Sequence, residues 1–123
     1  MNDKSFLDLG VSEATLKALD KKGFTSPSAI QTLVIPELLK ERTNLIGQAQ
    51  TGTGKTAAFA IPILETLDCD GSVRAIVLAP TRELAKQVTE KMYSLRGKKE
   101  IKVLPVYGGQ SIDQQIKKKK KGI

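Results

Sequence analysis

The 123-residue chain is predicted to adopt an α/β fold built on a parallel sheet. Three observations lead there. Three short aliphatic segments, Asn44–Gly47 ("NLIG"), Val73–Ala79 ("VRAIVLA") and Ile101–Tyr107 ("IKVLPVY"), each run into a loop and then a helical pattern. The first loop, Gly47 to Thr56 ("GQAQTGTGKT"), is glycine-rich and opens directly onto a helix. Strands that alternate with helices also require right-handed crossovers, which set the strands parallel.

The elements follow in order. Ser12 is placed to cap a first helix that ends near Gly23, with Leu16 and Leu19 at helical spacing. Ser26-Pro27 reads as an N-cap followed by proline at the first helical position. The apolar side of that second helix is predicted as Ile30, Leu33, Val34 and, past a break at Pro36, Leu38. A third helix is predicted from Lys55 to about Leu67, with Phe59, Ile63 and Leu67 four residues apart and a kink at Pro62. Arg82 to about Leu95 reads as a fourth, and Ser111 to Ile116 begins a fifth. Five consecutive lysines, Lys117–Lys121, cannot supply a core-facing stripe, so a solvated, frayed tail is expected there. A salt-dependent contact with RNA or an acidic surface is the alternative use of that run.

Composition narrows the class more than the function. The apolar share of 40% suffices for one modest core. Cys69 is the sole cysteine, so no internal disulfide can form. No apolar run reaches the roughly 18 residues that span a bilayer, and the polar start "MNDKSFLDLG" is unlike a signal peptide, which together point to a cytoplasmic protein without a membrane partner. The net charge of +7 suggests nucleic acid, but the lysine run carries five of those charges and the remainder is near neutral. Motifs therefore have to decide.

Three constellations carry chemistry. In "AQTGTGKT" (Ala49–Thr56) the backbone must curl so that several N–H groups point inward at phosphate; Gly52 and Gly54 permit the dihedrals and the close approach. Lys55 would reach the β- and γ-phosphates, Thr56 would offer its hydroxyl to Mg²⁺, and the helix N-terminus adds its positive end. "GFTSPSAIQ" (Gly23–Gln31) is a well-capped helix connection on its bland reading. On its functional reading, the Gln31 amide suits the N6 and N7 edge of adenine and Phe24 could stack on the base. "PTREL" (Pro80–Leu84) and "YGGQ" (Tyr107–Gln110) sit at the carboxyl ends of the second and third predicted strands, where ligands of open α/β sheets bind. Arg82 can fork onto a phosphate, and Gly108-Gly109 lets another backbone come close, whereas a helix cap plus an ordinary turn explains the same residues without function.

The three segments in this order and at these separations closely resemble the DEAD-box RNA helicases, specifically the first of their two RecA-like domains. "GFTSPSAIQ" is similar to the family's Q motif, and Phe6, 17 residues before Gly23, stands where the family keeps an isolated aromatic. "AQTGTGKT" resembles motif I, "PTREL" with Ala85 resembles motif Ia, and Gly108-Gly109 the RNA-contacting glycine pair. The wording looks most like bacterial members. The resemblance implies a RecA-like P-loop NTPase fold, with a parallel sheet flanked by helices and truncated here to about three strands. It divides the chain into a helical Q-motif region (1–42), a partial P-loop domain (43–116) and a lysine-rich tail (117–123).

The resemblance also implies roles. Phe24, Thr25, Ser26 and Gln31 would hold adenine; Thr51, Gly52, Thr53, Gly54, Lys55 and Thr56 would bind the phosphates of ATP, with Lys55 and Thr56 acting in catalysis and Thr56 on Mg²⁺. Pro80, Thr81, Arg82, Gly109 and Gln110 would lie along the RNA sugar-phosphate backbone, which makes binding largely indifferent to sequence. The implied function is unwinding or remodelling of RNA duplexes with ATP. Missing from these 123 residues is an acidic residue that ends a strand and holds Mg²⁺ with its attacking water, along with the later motifs and the second domain. The chain thus reads as an N-terminal piece that needs the rest of a helicase core and turns over essentially no ATP alone; a non-catalytic module that captures adenine nucleotide or RNA is the alternative.

Overall fold

The computed structural model describes residues 4–40 and 43–123. The boundary expected at 42/43 touches residues outside that set. Among the described residues five helices follow one another: α1 Glu13–Lys21, α2 Ala29–Lys40, α3 Lys55–Thr66, α4 Arg82–Leu95 and α5 Ile112–Lys120. Among the described residues none is long and apolar enough to cross a membrane.

α3 is the central helix and packs against both α2 and α4, while α1 packs against α4. Ile61 and Leu64 of α3 are fully buried, and they share one core with Leu19 of α1, Ile35 of α2 and Leu95 of α4. Phe6, Leu9 and Val11 fold into the same core from a tight turn in which Leu9 and Val11 both donate to the Phe6 carbonyl. Ser12 caps α1 as expected, and its hydroxyl, like that of the buried Thr15, also donates to the Glu65 carboxylate of α3. That side-chain pair binds the first helix to the central one. At the far end of α3, the Lys99 ammonium donates to the Leu64 carbonyl, a cation placed on the negative end of a helix.

Several local expectations shift. The cap of α2 is Ser28, not Ser26: its hydroxyl accepts from the Gln31 N–H (3.4 Å) and its own N–H donates to Gln31 Oε1 (2.9 Å), a reciprocal capping box. The buried side of α2 is Gln31, Val34 and Ile35, whereas Leu33 is 70% exposed. A polar residue occupies a core position, so a reading of apolar spacing alone turns the helix the wrong way. α2 also runs through Pro36 instead of breaking there. The hydrogen bond that proline removes is offset by burial of Val34 and Ile35 beside it. In α3 the buried stripe is Ala57, Ala60, Ile61 and Leu64; Phe59 and Ile63 pack against that core partly buried, and Ile63 and Leu67 also line an open groove. α5 continues through the lysine run to Lys120 rather than fraying at 117, because lysine has good helix propensity and favours a helix C-terminus.

Among the described residues, the three segments predicted as strands form no ladder. Ile101–Tyr107 is held by side chains instead. The Tyr93 hydroxyl accepts from the Val103 N–H (3.0 Å) and donates to the Val103 carbonyl (3.1 Å). Arg96 donates to the Ile101 carbonyl (3.1 Å), and the Tyr107 N–H donates to Gln115 Oε1 (3.2 Å). Val73–Ala79 faces a groove of about 1100 Å³ shared with Ile101–Val106, and Ile76 and Leu78 are 80% and 92% exposed. A strand is defined by its neighbour, and among the described residues no backbone hydrogen bond joins these segments to one. Asn44–Gly47 crosses α2, where a Cβ on Gly47 would meet Val34 and Ile30 at 3.4 and 3.5 Å, so glycine permits the close crossing.

Replacing Ile61 with alanine is expected to lower unfolding stability by about 2–5 kcal/mol. Leu33→Ala should change it by less than about 0.5 kcal/mol, since that side chain already faces solvent. Urea denaturation of both variants checks the register of α2 against α3. In the turn before Val73, the Arg74 guanidinium and then Ser72 donate to Asp70 and hold its carboxyl well below the usual 3.8. Because that pKa is depressed, the contact is complete above the usual value and is lost as pH falls through the lowered one. An NMR titration should place the Asp70 midpoint below 3.8.

Candidate functional site

The loop between Gly47 and α3 makes its turn with two left-handed glycines, Gly52 (φ +83°) and Gly54 (φ +82°). Thr53 tightens it by donating its hydroxyl to the Gln50 carbonyl (2.6 Å). Gly54 is the residue from which α3 springs, and its carbonyl accepts the first helical bond, from the Ala58 N–H (3.2 Å). Gly54 has no side chain with which to cap the helix, so the first-turn N–H groups at Lys55, Thr56 and Ala57 keep the positive end of α3 available to an anion. The Lys55 side chain is exposed and has no carboxylate partner among the described residues. Thr56 is half-buried beside it, and Thr51 is exposed on the loop.

Gln31 couples this loop to α2. Its Nε2 donates to the Gly54 carbonyl (3.1 Å), while its Oε1 accepts from Ser28, and the residue is only 3% exposed. The contact is so close that a Cβ on Gly54 would lie 2.3 Å from Gln31 Nε2. Gly54 is therefore required twice, by its dihedral and by its neighbour. Thr25 and Ser26 are exposed. Phe24 is half-buried: it meets Phe6 edge-on at 6.4 Å between centroids and carries the Lys91 ammonium over its ring at 5.3 Å. The structure thus brings Gln31 to the Gly47–Thr56 loop and sets Phe24 into an aromatic and cationic cluster with α4.

The segments around Arg82 and Gly109 converge as well. Thr81 caps α4, its hydroxyl accepting from the Leu84 N–H (3.1 Å). Arg82, at the first position of α4, lays its guanidinium 5.4 Å from the Tyr107 ring centre. The same guanidinium lies against Gly109, where a Cβ would come within 3.1 Å of Nη2. Gly109 is left-handed (φ +86°), and Gln110 donates its side-chain amide to the Tyr107 hydroxyl (2.7 Å). Between Pro80–Arg82 and Val106–Gly108 runs a groove of about 350 Å³.

A family model of DEAD/DEAH box helicases matches residues 28–123. The chain belongs to the DEAD/DEAH box helicase family. Among its relatives, the DEAD-box ATP-dependent RNA helicase CshA of Geobacillus kaustophilus is 50% identical over 118 residues, which cover 95% of this chain and 25% of that protein. The crystal structure of a DEAD box protein from Methanococcus jannaschii superposes with a TM-score of 0.92 at 45% identity, covering 96% of this chain and 32% of that one. Dbp5 of S. cerevisiae, solved with RNA and ADP BeF3, gives a TM-score of 0.76 at 36% identity over 89% of this chain and 30% of its own. The chain therefore spans about a quarter to a third of the relatives it matches, and its fold is that of DEAD-box RecA-like domains.

Sequence reasoning missed three participants in this DEAD-box chain: Ser28, Lys86 and Tyr107. Ser28 was legible as the first residue of a Ser-x-x-Gln capping box. Lys86 stands one helical turn after Arg82 and so shares its face. Tyr107 sits inside the quoted "YGGQ", but nothing in the sequence showed that its ring would meet the cations of α4. Gly54→Ala is expected to lower the denaturation midpoint through a left-handed strain of about 1–2 kcal/mol and to expel the Gln31 amide. Loss of the protected Gln31 side-chain NH₂ signals in NMR would accompany it.

Proposed function

We propose that residues 43–116 are part of the ATP-binding RecA-like domain of an ATP-dependent RNA helicase. On this reading residues 1–42 form its adenine-reading lead-in, the sheet is truncated to about three strands, and the lysine-rich 117–123 segment forms a basic end. The whole protein is a cytoplasmic enzyme that unwinds or remodels RNA duplexes, and its missing partner is the rest of the helicase core. One observation carries the reading: the Gln31 amide is bonded to the Gly54 carbonyl, so the base reader and the phosphate loop are one unit.

The residues present fit a nucleotide. Gly52 and Gly54 hold the loop open, the first turn of α3 presents N–H groups, and Lys55 is an exposed cation at that end. Lys55 would neutralise the β- and γ-phosphates, and Thr56 would offer a single hydroxyl to Mg²⁺. ATP, when bound, supplies the phosphoryl group whose transfer drives the cycle. Gln31 keeps one amide hydrogen and one lone pair beyond its bonds to Gly54 and Ser28, which is the donor and acceptor pair adenine asks for. Phe24, Thr25 and Ser26 complete the base side; Phe24 would have to share its ring with Lys91. Pro80, Thr81, Arg82, Gly109 and Gln110 would track the RNA backbone, since Arg82 and Gly109 already touch across the two loops.

These 123 residues are expected to bind ADP in preference to GDP, and Gln31→Ala to remove that preference in a calorimetric titration. Lys55→Ala should weaken ADP binding about tenfold or more, the scale of one charge-assisted hydrogen bond. Equal binding of ADP and GDP by the unaltered chain would defeat the assignment of Gln31. Phosphate release should stay at background with and without RNA; RNA-stimulated release that disappears in Lys55→Ala would show that the chain is catalytic by itself.

A further inference from the structure

Tyr107 carries two cations rather than one. Besides the Arg82 guanidinium at 5.4 Å, the Lys86 ammonium stands 5.3 Å from the same ring centre. Both cations draw on the same electron-rich ring, the partner that they have in common. Neither cation is taken by a carboxylate among the described residues, although Glu83 and Glu90 lie on the same helix. Both side chains are exposed, while the ring they share is half-buried.

The ring itself is tied from several directions. Its hydroxyl accepts from Gln110 (2.7 Å), and its backbone N–H donates to Gln115 of α5 (3.2 Å). Arg82 is confined further by Gly109, whose missing Cβ leaves room for the guanidinium. The result is two cations, one helical turn apart, gathered on one ring that together with Arg82 lines the groove between Pro80–Arg82 and Val106–Gly108. Two cations without carboxylate partners among the described residues, beside that groove, suit the phosphodiesters of a single strand, whose charges repeat along a backbone.

We propose that Lys86 is a further RNA-binding residue and that Tyr107 is a positioning residue which holds Lys86 and Arg82 together for the phosphates of single-stranded RNA. The proposal rests on the RNA-binding reading above and adds to it a second cation and the ring that organises both.

The test is fluorescence anisotropy of a labelled oligouridylate with the 123-residue chain, repeated over a series of salt concentrations. Lys86→Gln should weaken binding and flatten the slope of log affinity against log salt by about 0.7, the value for one phosphate contact on a single strand. Tyr107→Leu should weaken binding about fivefold through loss of the two cation–ring contacts, and Tyr107→Phe, which keeps the ring, should restore it. Circular dichroism melts of each variant separate these effects from loss of fold, and the salt slope is compared only between variants that melt as the unaltered chain does. The inference is overturned, with the RNA-binding reading intact, if Arg82→Gln weakens binding while Lys86→Gln leaves both affinity and slope unchanged. It is also overturned if Tyr107→Phe binds as weakly as Tyr107→Leu, since the hydroxyl and not the ring would then matter. No binding by the unaltered chain removes both readings together.

Discussion

The Gly54 carbonyl is the point on which the arrangement of this chain turns. It accepts two hydrogen bonds, from the Ala58 N–H that starts α3 and from the Gln31 amide that ends the N-terminal turn of α2. A backbone carbonyl has two lone pairs, so both bonds can form without competition. Because Gln31 is buried, an unpaired amide there would cost on the order of 1–3 kcal/mol, and Gly54 removes that cost while fixing the glycine's left-handed turn. The loop before α3 therefore takes its position from the packing of α2 against α3 as well as from its own Thr53–Gln50 contact.

The second half of the molecule is held by different means. Ile101–Tyr107 has the composition of a buried strand, yet the Tyr93 hydroxyl, Arg96 and Gln115 supply its polar partners. Side chains from α4 and α5 stand in for a ladder, and this is why Tyr107 arrives at a defined place over Arg82 and Lys86. Val73–Ala79 lacks such substitutes, and its aliphatic side chains face the open groove. The site and the sheet thus differ in how complete they are within these residues: loops at the segment ends are organised, while the segment edges are not.

Much of this was legible in the residues, and the exceptions share a cause. The bounds of α1, α3 and α4 followed from Ser12, from the glycine turn before Lys55 and from Thr81-Arg82, because caps and turns are decided by neighbours in sequence. The register of α2 was not legible. Gln31 sits in the core among Val34 and Ile35, and its burial is explained only by Gly54, 23 residues away. The continuity of α2 through Pro36 was hidden for the same reason, since burial against α3 offsets the lost hydrogen bond. At the candidate site, the glycine turn before α3 and the start of α4 at Arg82 were readable from the sequence, whereas the meeting of Arg82, Lys86 and Tyr107 required the two loops to converge.

By itself, the sequence determined the order of the helices, most of their starts, the glycine turn at Gly52 and Gly54 and the likeness to DEAD-box helicases. Those properties rest on short-range sterics and capping, which act over three or four residues. The tertiary structure alone decided which face of each helix is buried, which partner satisfies Gln31, how Ile101–Tyr107 is held without a ladder, and which cations share the Tyr107 ring. Each of these is a contact between distant segments, and its energy depends on burial and geometry that no local spacing contains.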